Sequence, residues 1–232
     1  SFNVRKGEVF VIVGPSGVGK SVTLKHMVRL FTPDSGHVLV NGTDITNLTG
    51  ESLRKVRGQF GYLFQGGALL AWLTVAQNVA LPLLENTDME FDEVYQKVVE
   101  MLKLVGLEDD ANKYPSEISG GMRKRAGLAR AIITDPGIIL YDEPTSGLDP
   151  VTARTIDHLI ERMKNKIGVT SVVVTHDLHS ALSIGTTIAM LYDGKIVEMS
   201  SPEKFIKSSN DEVQNFLESQ FITKKGSWEG HI

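Results

Sequence analysis

The stretch Val9-Phe10-Val11-Ile12-Val13-Gly14-Pro15-Ser16-Gly17-Val18-Gly19-Lys20-Ser21 decides how the rest of the chain is read. Val9 to Val13 is short, apolar and mostly β-branched, the pattern of a buried strand. The next residues fit G-x-x-x-x-G-K-[ST], and from Lys20 to about Leu30 the pattern turns helical. The breaker cluster Thr32-Pro33-Asp34-Ser35-Gly36 stops that helix. A strand that passes through glycines into a helix is the setting a phosphate-binding loop needs. Glycines let backbone N–H groups wrap an anion, and the helix N-terminus adds a favourable dipole. Lys20 can reach the β- and γ-phosphates of a nucleotide, and the Ser21 hydroxyl can coordinate Mg²⁺. The residues from Gly14 to Val22 are therefore candidate nucleotide contacts.

Outward from this loop, the chain reads as an alternation of strands and helices interrupted once. Val38 to Val40 and Phe60 to Phe64 read as strands. Between Gly66-Gly67 and Pro136 the periodicity is helical. There Phe91, Val94, Tyr95, Val98, Val99, Leu102 and Val105 are expected to form one apolar stripe. Strand signals return at Gly137 to Tyr141 and Thr170 to Val174, around a helix from Thr152 to Asn165. Asp193-Gly194, between Thr187–Tyr192 and Lys195–Met199, reads as a hairpin turn. A last helix is expected from Asn210 to Ser219, before a mixed tail. This order predicts an α/β domain with a largely parallel sheet, a helical insertion and an antiparallel hairpin.

The whole chain supports that class. Its 232 residues suffice for a proper core, and 41% hydrophobic with 22% charged residues is an ordinary globular mixture. The 24 Lys and Arg against 28 Asp and Glu leave a net charge of −4, which argues against a nucleic-acid partner. No apolar run approaches the ~18 residues of a membrane span. With no cysteine, disulfides, thiol catalysis and thiolate metal sites are excluded. No signal-peptide pattern is present. Ser1 reads as lying within a strand, so the natural start is expected upstream.

Two further strand ends carry chemistry. Ile138-Ile139-Leu140-Tyr141 delivers Asp142 and Glu143 at a carboxyl end, where open α/β sheets bind ligands. Asp142 fits a Mg²⁺-orienting acid, and Glu143 is placed to polarise an attacking water. Val172-Val173-Val174-Thr175 delivers His176 in the same way. Its imidazole is either a phosphate and water contact or a solvated loop residue. Gln65, after Phe60 to Phe64, is either a Mg²⁺ and water contact or a strand-end polar residue. Ser119-Gly120-Gly121 reads either as an N-cap with backbone N–H groups open to an anion or as a flexible loop.

Taken in order, GPSGVGKS, Gln65, ISGGM, IILYDEP, Ser146-Gly147-Leu148-Asp149 and His176 resemble the nucleotide-binding subunits of ABC transporters. The likeness runs from Val9 to about Leu217. It implies a P-loop NTPase core that uses ATP and Mg²⁺. By this likeness Lys20 and Ser21 belong to the phosphate loop, Gln65 to the Q-loop, and Ser21, Gln65 and Asp142 to the metal site. Glu143 becomes the catalytic glutamate, with His176 as switch histidine and Gln65 beside the water. Ser119, Gly120 and Gly121 match the signature that touches the γ-phosphate held by a second copy, and Asp149 the D-loop.

The resemblance also implies an organisation. Residues 1–232 would be a single ATPase domain: 1–65 and 136–200 the ATP-binding core, 66–135 the helical signature subdomain, and 201–232 a C-terminal helix and tail. A groove near Gln65 would receive a coupling helix from a membrane permease subunit. Val22 replaces the commoner threonine, and Thr23 faces elsewhere. Met122 stands where the signature usually has glutamine. With Leu63-Phe64-Gln65-Gly66-Gly67-Ala68-Leu69 and Tyr141, these residues resemble the ATPase of Mla/Mce-type phospholipid transporters of Gram-negative bacteria.

The partners so implied are a second copy, a permease and a lipid-binding Mce-domain subunit, and the location is the cytoplasmic face of the bacterial inner membrane, held peripherally. The family's adenine-stacking aromatic residue would precede Ser1. The alternative is a regulatory or mechanical ATPase that pulls on a membrane partner without transport. A DNA- or ribosome-directed cassette is disfavoured by the lack of heptads, and a GTPase by the lack of Asn-Lys-x-Asp. Phe221, Ile222 and Trp228 in the tail are apolar enough to dock on a partner, and a disordered end is the other reading.

Overall fold

The apolar run before the glycine loop is a strand in the interior of the sheet. In the computed structural model, which describes residues 1–220, Val9–Val13 forms β1 with every side chain buried. Helix α1, Lys20–Met27, leaves directly from the glycine loop. Strands β2 (Leu39–Val40) and β3 (Thr43–Asp44) pair as a small antiparallel ribbon, followed by α2 (Gly50–Arg57) and β4 (Phe60–Leu63). Three helices come next: α3 (Val75–Asn86), α4 (Phe91–Val105) and α5 (Gly120–Ile132). The chain then alternates through β5 (Ile138–Asp142), α6 (Pro150–Ile167), β6 (Thr170–Val174) and α7 (Leu178–Ile184). β7 (Thr187–Tyr192) and β8 (Lys195–Ser200) form the hairpin, and α8 (Pro202–Ile206) and α9 (Asp211–Ser219) follow.

The main sheet runs β4-β5-β6-β1-β7-β8, parallel throughout except for the antiparallel β7–β8 pair. Both faces are covered, which is why the strands read as continuous apolar runs rather than alternating ones. Alternate residues of β1 feed different cores. Val9, Val11 and Val13 join α5, α6 and α7 on one face, while Phe10 and Ile12 meet Leu24 of α1 on the other. Register places Val174 beside both Ile12 and Asp142, and Leu63 beside Tyr141. The ends of β1, β4, β5 and β6 therefore open on one edge, and every strand-end residue singled out above projects from that edge.

The structure departs from the sequence reading in several places. Residues 1–8 carry no strand; Phe2 instead stacks on Phe10 at 5.1 Å between ring centroids. The stripe expected on α4 is narrower than its periodicity suggests. Val94, Val98, Leu102 and Val105 are buried, whereas Phe91, Tyr95 and Val99 lie exposed on its flank. An i, i+4 ladder drifts around a helix, so three of the apolar positions pass beyond the face that meets α3 and α5. The ribbon strand β3 and helix α2 are additions to the sequence reading. Helix α6 begins two residues earlier than expected, because Asp149 caps it and Pro150 takes the first turn. Among the described residues no helix is long and apolar enough to cross a membrane. Phe221, Ile222 and Trp228 lie outside the described residues.

Candidate functional site

The glycine loop ends in the conformation that only glycine adopts cheaply. Gly19 caps α1 with φ 105°, and the backbone amide of Thr23 donates to its carbonyl at 2.9 Å. Lys20, the first residue of α1, is buried, and its ammonium lies within the loop. Nζ donates to the carbonyls of Gly14 at 2.8 Å and Pro15 at 3.0 Å, and faces Glu143 Oε1 at 3.8 Å. Burial holds the amine below its ordinary value, against the opposing pull of Glu143 and Asp142. Thr23 turns its hydroxyl back onto the Gly19 carbonyl, and Val22 is exposed beside it.

Ser21 faces the end of β5. Its hydroxyl donates to Asp142 Oδ1 at 2.5 Å, and the Tyr62 hydroxyl donates to Oδ2 at 3.3 Å. A hydroxyl and a buried carboxylate at hydrogen-bond distance are hard oxygen donors of the kind Mg²⁺ takes, with one or two protein oxygens and the rest from phosphate and water. The pair fits that ion. Tyr62 was not singled out from sequence. Burial, and then the Asp142 charge, hold its phenol protonated well above the ordinary range, so it acts only as a donor to the acid.

Glu143 is the junction of the site. It is 7% exposed and sits at φ 51°, a left-handed conformation that costs a non-glycine residue of order 1–3 kcal/mol. Its Oε2 meets His176 Nδ1 at 2.8 Å, while Oε1 faces Lys20. His176 is thus neither buried nor merely solvated, since its half-exposed ring is tied to the carboxylate. Behind Glu143 stands Lys124 of α5, buried, with its amine pushed down to about 8 by burial. Sequence reasoning passed over it because a lysine in a helix usually reads as solvent-facing. Gly121, Lys124 and Leu128, all buried at helical spacing, are the signal that could have found it.

The remaining candidates lie around this cluster. Gln65 is exposed just past β4, with no hydrogen bond from its amide among the described residues. Ser119 caps α5, its hydroxyl accepting from the Met122 amide at 3.2 Å, with Gly120 and Gly121 as the first helical residues. Asp149 uses its carboxylate to cap α6, accepting from the Val151 and Thr152 amides at 3.0 Å and from the Thr152 hydroxyl at 2.6 Å. It makes no hydrogen bond to the Lys20–Glu143 cluster among the described residues. Beside β4, a groove of about 440 Å³ is lined by Phe64, Leu81, Pro82, Glu85 and Arg130 among others.

Comparison with known proteins gives this geometry its context. A family model described as ABC transporter matches residues 1–146. The chain is 43% identical over 222 residues to a probable ribonucleotide transport ATP-binding protein, mkl, of Mycobacterium leprae, covering 96% of this chain and 64% of that protein. It therefore spans slightly less than two thirds of that relative's length. It is 39% identical over 220 residues to the intermembrane phospholipid transport system ATP-binding protein MlaF of Haemophilus influenzae, covering 95% of this chain and 83% of MlaF. Among solved structures, a dimeric post-hydrolysis state of the ATP-binding cassette MJ0796 bound to ADP and Pi matches with TM-score 0.81 and 36% identity. That match covers 87% of this chain and 88% of the other.

Proposed function

This chain belongs to the ABC transporter family, and from that premise we propose that it hydrolyses ATP to power a membrane transporter whose cargo is phospholipid. One observation carries the reading. At the carboxyl ends of neighbouring strands, the Lys20 ammonium in its glycine loop faces Glu143, Glu143 is tied to His176, and Ser21, next to Lys20, donates to Asp142.

Each group has a task in phosphoryl transfer to water. Lys20 neutralises charge on the β- and γ-phosphates, with Gly14, Pro15, Ser16, Gly17, Val18, Gly19 and Val22 around the nucleotide. Ser21 and Asp142, with Gln65, would hold Mg²⁺, which would act as a Lewis acid on the phosphate oxygens. Glu143 accepts the proton of the attacking water, and the His176 N–H steadies the carboxylate that does so. Gln65 also contacts the water from the Q-loop. Ser119, Gly120 and Gly121 offer the N-terminus of α5 to the γ-phosphate held by a second copy, and Asp149 lines the same interface.

The proposed organisation is one ATPase domain, residues 1–232. Residues 1–65 and 136–200 bind ATP, 66–135 carry the signature, and the segment from residue 201 onward, which opens with α8 and α9, follows the core. The partners are a second copy, a permease whose coupling helix enters the groove beside β4, and a lipid-binding Mce-domain subunit. The location is the cytoplasmic face of the bacterial inner membrane. Phospholipid is favoured as cargo because the likeness to MlaF extends over 83% of that protein, whereas the likeness to mkl covers 64% of its length.

The test is to purify the complex from its native membrane, measure Mg²⁺-dependent phosphate release, and identify bound small molecules by mass spectrometry. ATP turnover with co-purified phospholipid supports the reading. Turnover with a different bound solute overturns the cargo, and a folded complex without turnover overturns the ATPase.

A further inference from the structure

The helix that begins at Ser119 also carries the group that grips the far side of Glu143. Lys124 is 5% exposed, and each of its three N–H donors has an acceptor in the turn after β5. Nζ donates to the Glu143 carbonyl at 2.9 Å, the Ser146 carbonyl at 2.6 Å and the Ser146 hydroxyl oxygen at 3.1 Å. The Ser146 hydroxyl in turn donates to the Glu143 carbonyl at 3.0 Å. Two donors thus converge on the carbonyl of a residue whose backbone is left-handed at φ 51°.

A buried ammonium is a poor choice for stability alone, since an apolar side chain of similar length avoids the desolvation cost. Its placement suits a different purpose. Rotating the Glu143 peptide out of the left-handed region would break bonds to Lys124 and Ser146. It would also swing the carboxylate away from His176, 2.8 Å distant, and from Lys20. The tie is rigid at its other end too. At Gly121, one turn earlier on α5, the Thr152 methyl group of α6 occupies the space an added Cβ would take, so the two helices pack closely there.

We infer that Lys124 is a positioning residue for the general base: its ammonium fixes the left-handed turn at Glu143 and couples the Ser119 end of α5 to the catalytic carboxylate of the same chain. This rests on the ATPase reading above. Ser119 lies five residues before Lys124, about 7–8 Å along the helix axis, so contact at the signature end has a short, fully hydrogen-bonded route to the base.

The test uses Lys124→Met and Lys124→Gln in the full chain, each checked for folding by thermal melting. Lys124→Met should lower kcat at least ~10-fold with KM for MgATP within about three-fold, because the base is misplaced while nucleotide contacts stay. In a Glu143→Gln background the same change should cost nothing further, since Lys124 acts only through Glu143. Hydrogen exchange at the Thr145, Ser146 and Gly147 amides should quicken, with β5 unchanged. Lys124→Gln keeps two donors on a neutral group and should fall between parent and methionine variant. If the methionine variant does not fold, the glutamine variant decides alone, with a kcat loss of about three-fold or more expected at unchanged KM.

A folded Lys124 variant with parental kcat, or one that lowers the residual rate of Glu143→Gln by the same factor, overturns the inference. So does unchanged exchange in the turn. The exchange readout needs no ATP, so a parent that failed to hydrolyse ATP would sink the ATPase reading while exchange still decided whether Lys124 holds the turn.

Discussion

His176 Nδ1 lies 2.8 Å from Glu143 Oε2, which joins the ends of two neighbouring strands through their functional side chains. With Nδ1 protonated, the ring donates to the carboxylate and leaves Nε2 facing outward as the polar atom available to a phosphate or water. The carboxylate is thus held by His176 on one oxygen and faces Lys20 with the other, the orientation that the proposed general base requires.

Glu143→Gln should therefore bind MgATP yet turn over at least ~10²-fold more slowly, the usual scale for losing a positioned base. It should accumulate as an ATP-bound pair of copies, because closure needs the γ-phosphate and reopening needs its loss. Phosphate release together with size-exclusion chromatography in MgATP reads both effects. Near-normal turnover removes Glu143 from the catalytic role.

Lys20→Ala tests the loop itself. The ammonium lies against the Gly14 and Pro15 carbonyls within the loop, and Lys20 belongs to neither apolar cluster flanking the sheet, so its loss removes hydrogen bonds rather than core packing. Folding should change little, while MgATP affinity should fall by at least ~10-fold, the loss of a charge-assisted phosphate contact. Calorimetry showing undiminished MgATP binding by the folded variant overturns the phosphate-loop assignment.

How much of this was legible beforehand depended on whether the signal was local. The loop from Gly14 to Ser21, and the acids after Tyr141, follow from short patterns fixed by the chemistry of one turn. The hairpin at Asp193-Gly194 is equally local, with both residues at positive φ. The Tyr62–Asp142 and Lys124–Glu143 contacts are different. They join residues 80 and 19 positions apart, and no spacing rule says which polar group in an ordinary strand or helix will be turned inward. The α4 stripe was overextended for the reverse reason: periodicity gives an apolar arc, but only the neighbouring helices decide how much of that arc is covered.

Asp157 offers a prediction about stability. It sits on α6 with the Ser180 hydroxyl donating to its Oδ1 at 2.6 Å. Burial, reinforced by the charges of Asp177 and Glu161, pushes its carboxyl up to about 6. A folded-state value above the unfolded one means that the native chain binds more protons between about pH 4 and 6, so stability falls as pH rises through that window. Asp157→Asn keeps an acceptor for Ser180 and removes the charge. It should be more stable than the parent at pH 7.5, by on the order of 1 kcal/mol after discounting for solvent screening. That gain should shrink as pH falls from 6 towards 4. A pH-independent difference in denaturant midpoints between the two proteins counts against this account.

The last prediction asks whether the site is shared between two chains. Ser119 opens α5, a helix outside the central sheet, whereas Lys20 opens α1 at the edge where β1 ends. If the two ends meet across a pair of copies, each site needs the loop of one chain and the α5 terminus of the other. Lys20→Ala and Ser119→Arg then damage complementary halves. The Ser119→Arg chain loses its cap to the Met122 amide, a cost of roughly 1 kcal/mol that leaves the fold in place. In a mixed pair, one site combines both damaged halves. The other combines the intact loop of the Ser119→Arg chain with the intact helix end of the Lys20→Ala chain. Mixing the two variants should therefore restore nucleotide trapping at one site per pair, even if turnover needs both sites, which makes trapping the safer readout. The control is a pair in which one chain carries both substitutions and the other neither, because then no site is intact. Verified mixed pairs that trap no more ATP than this control overturn the shared arrangement.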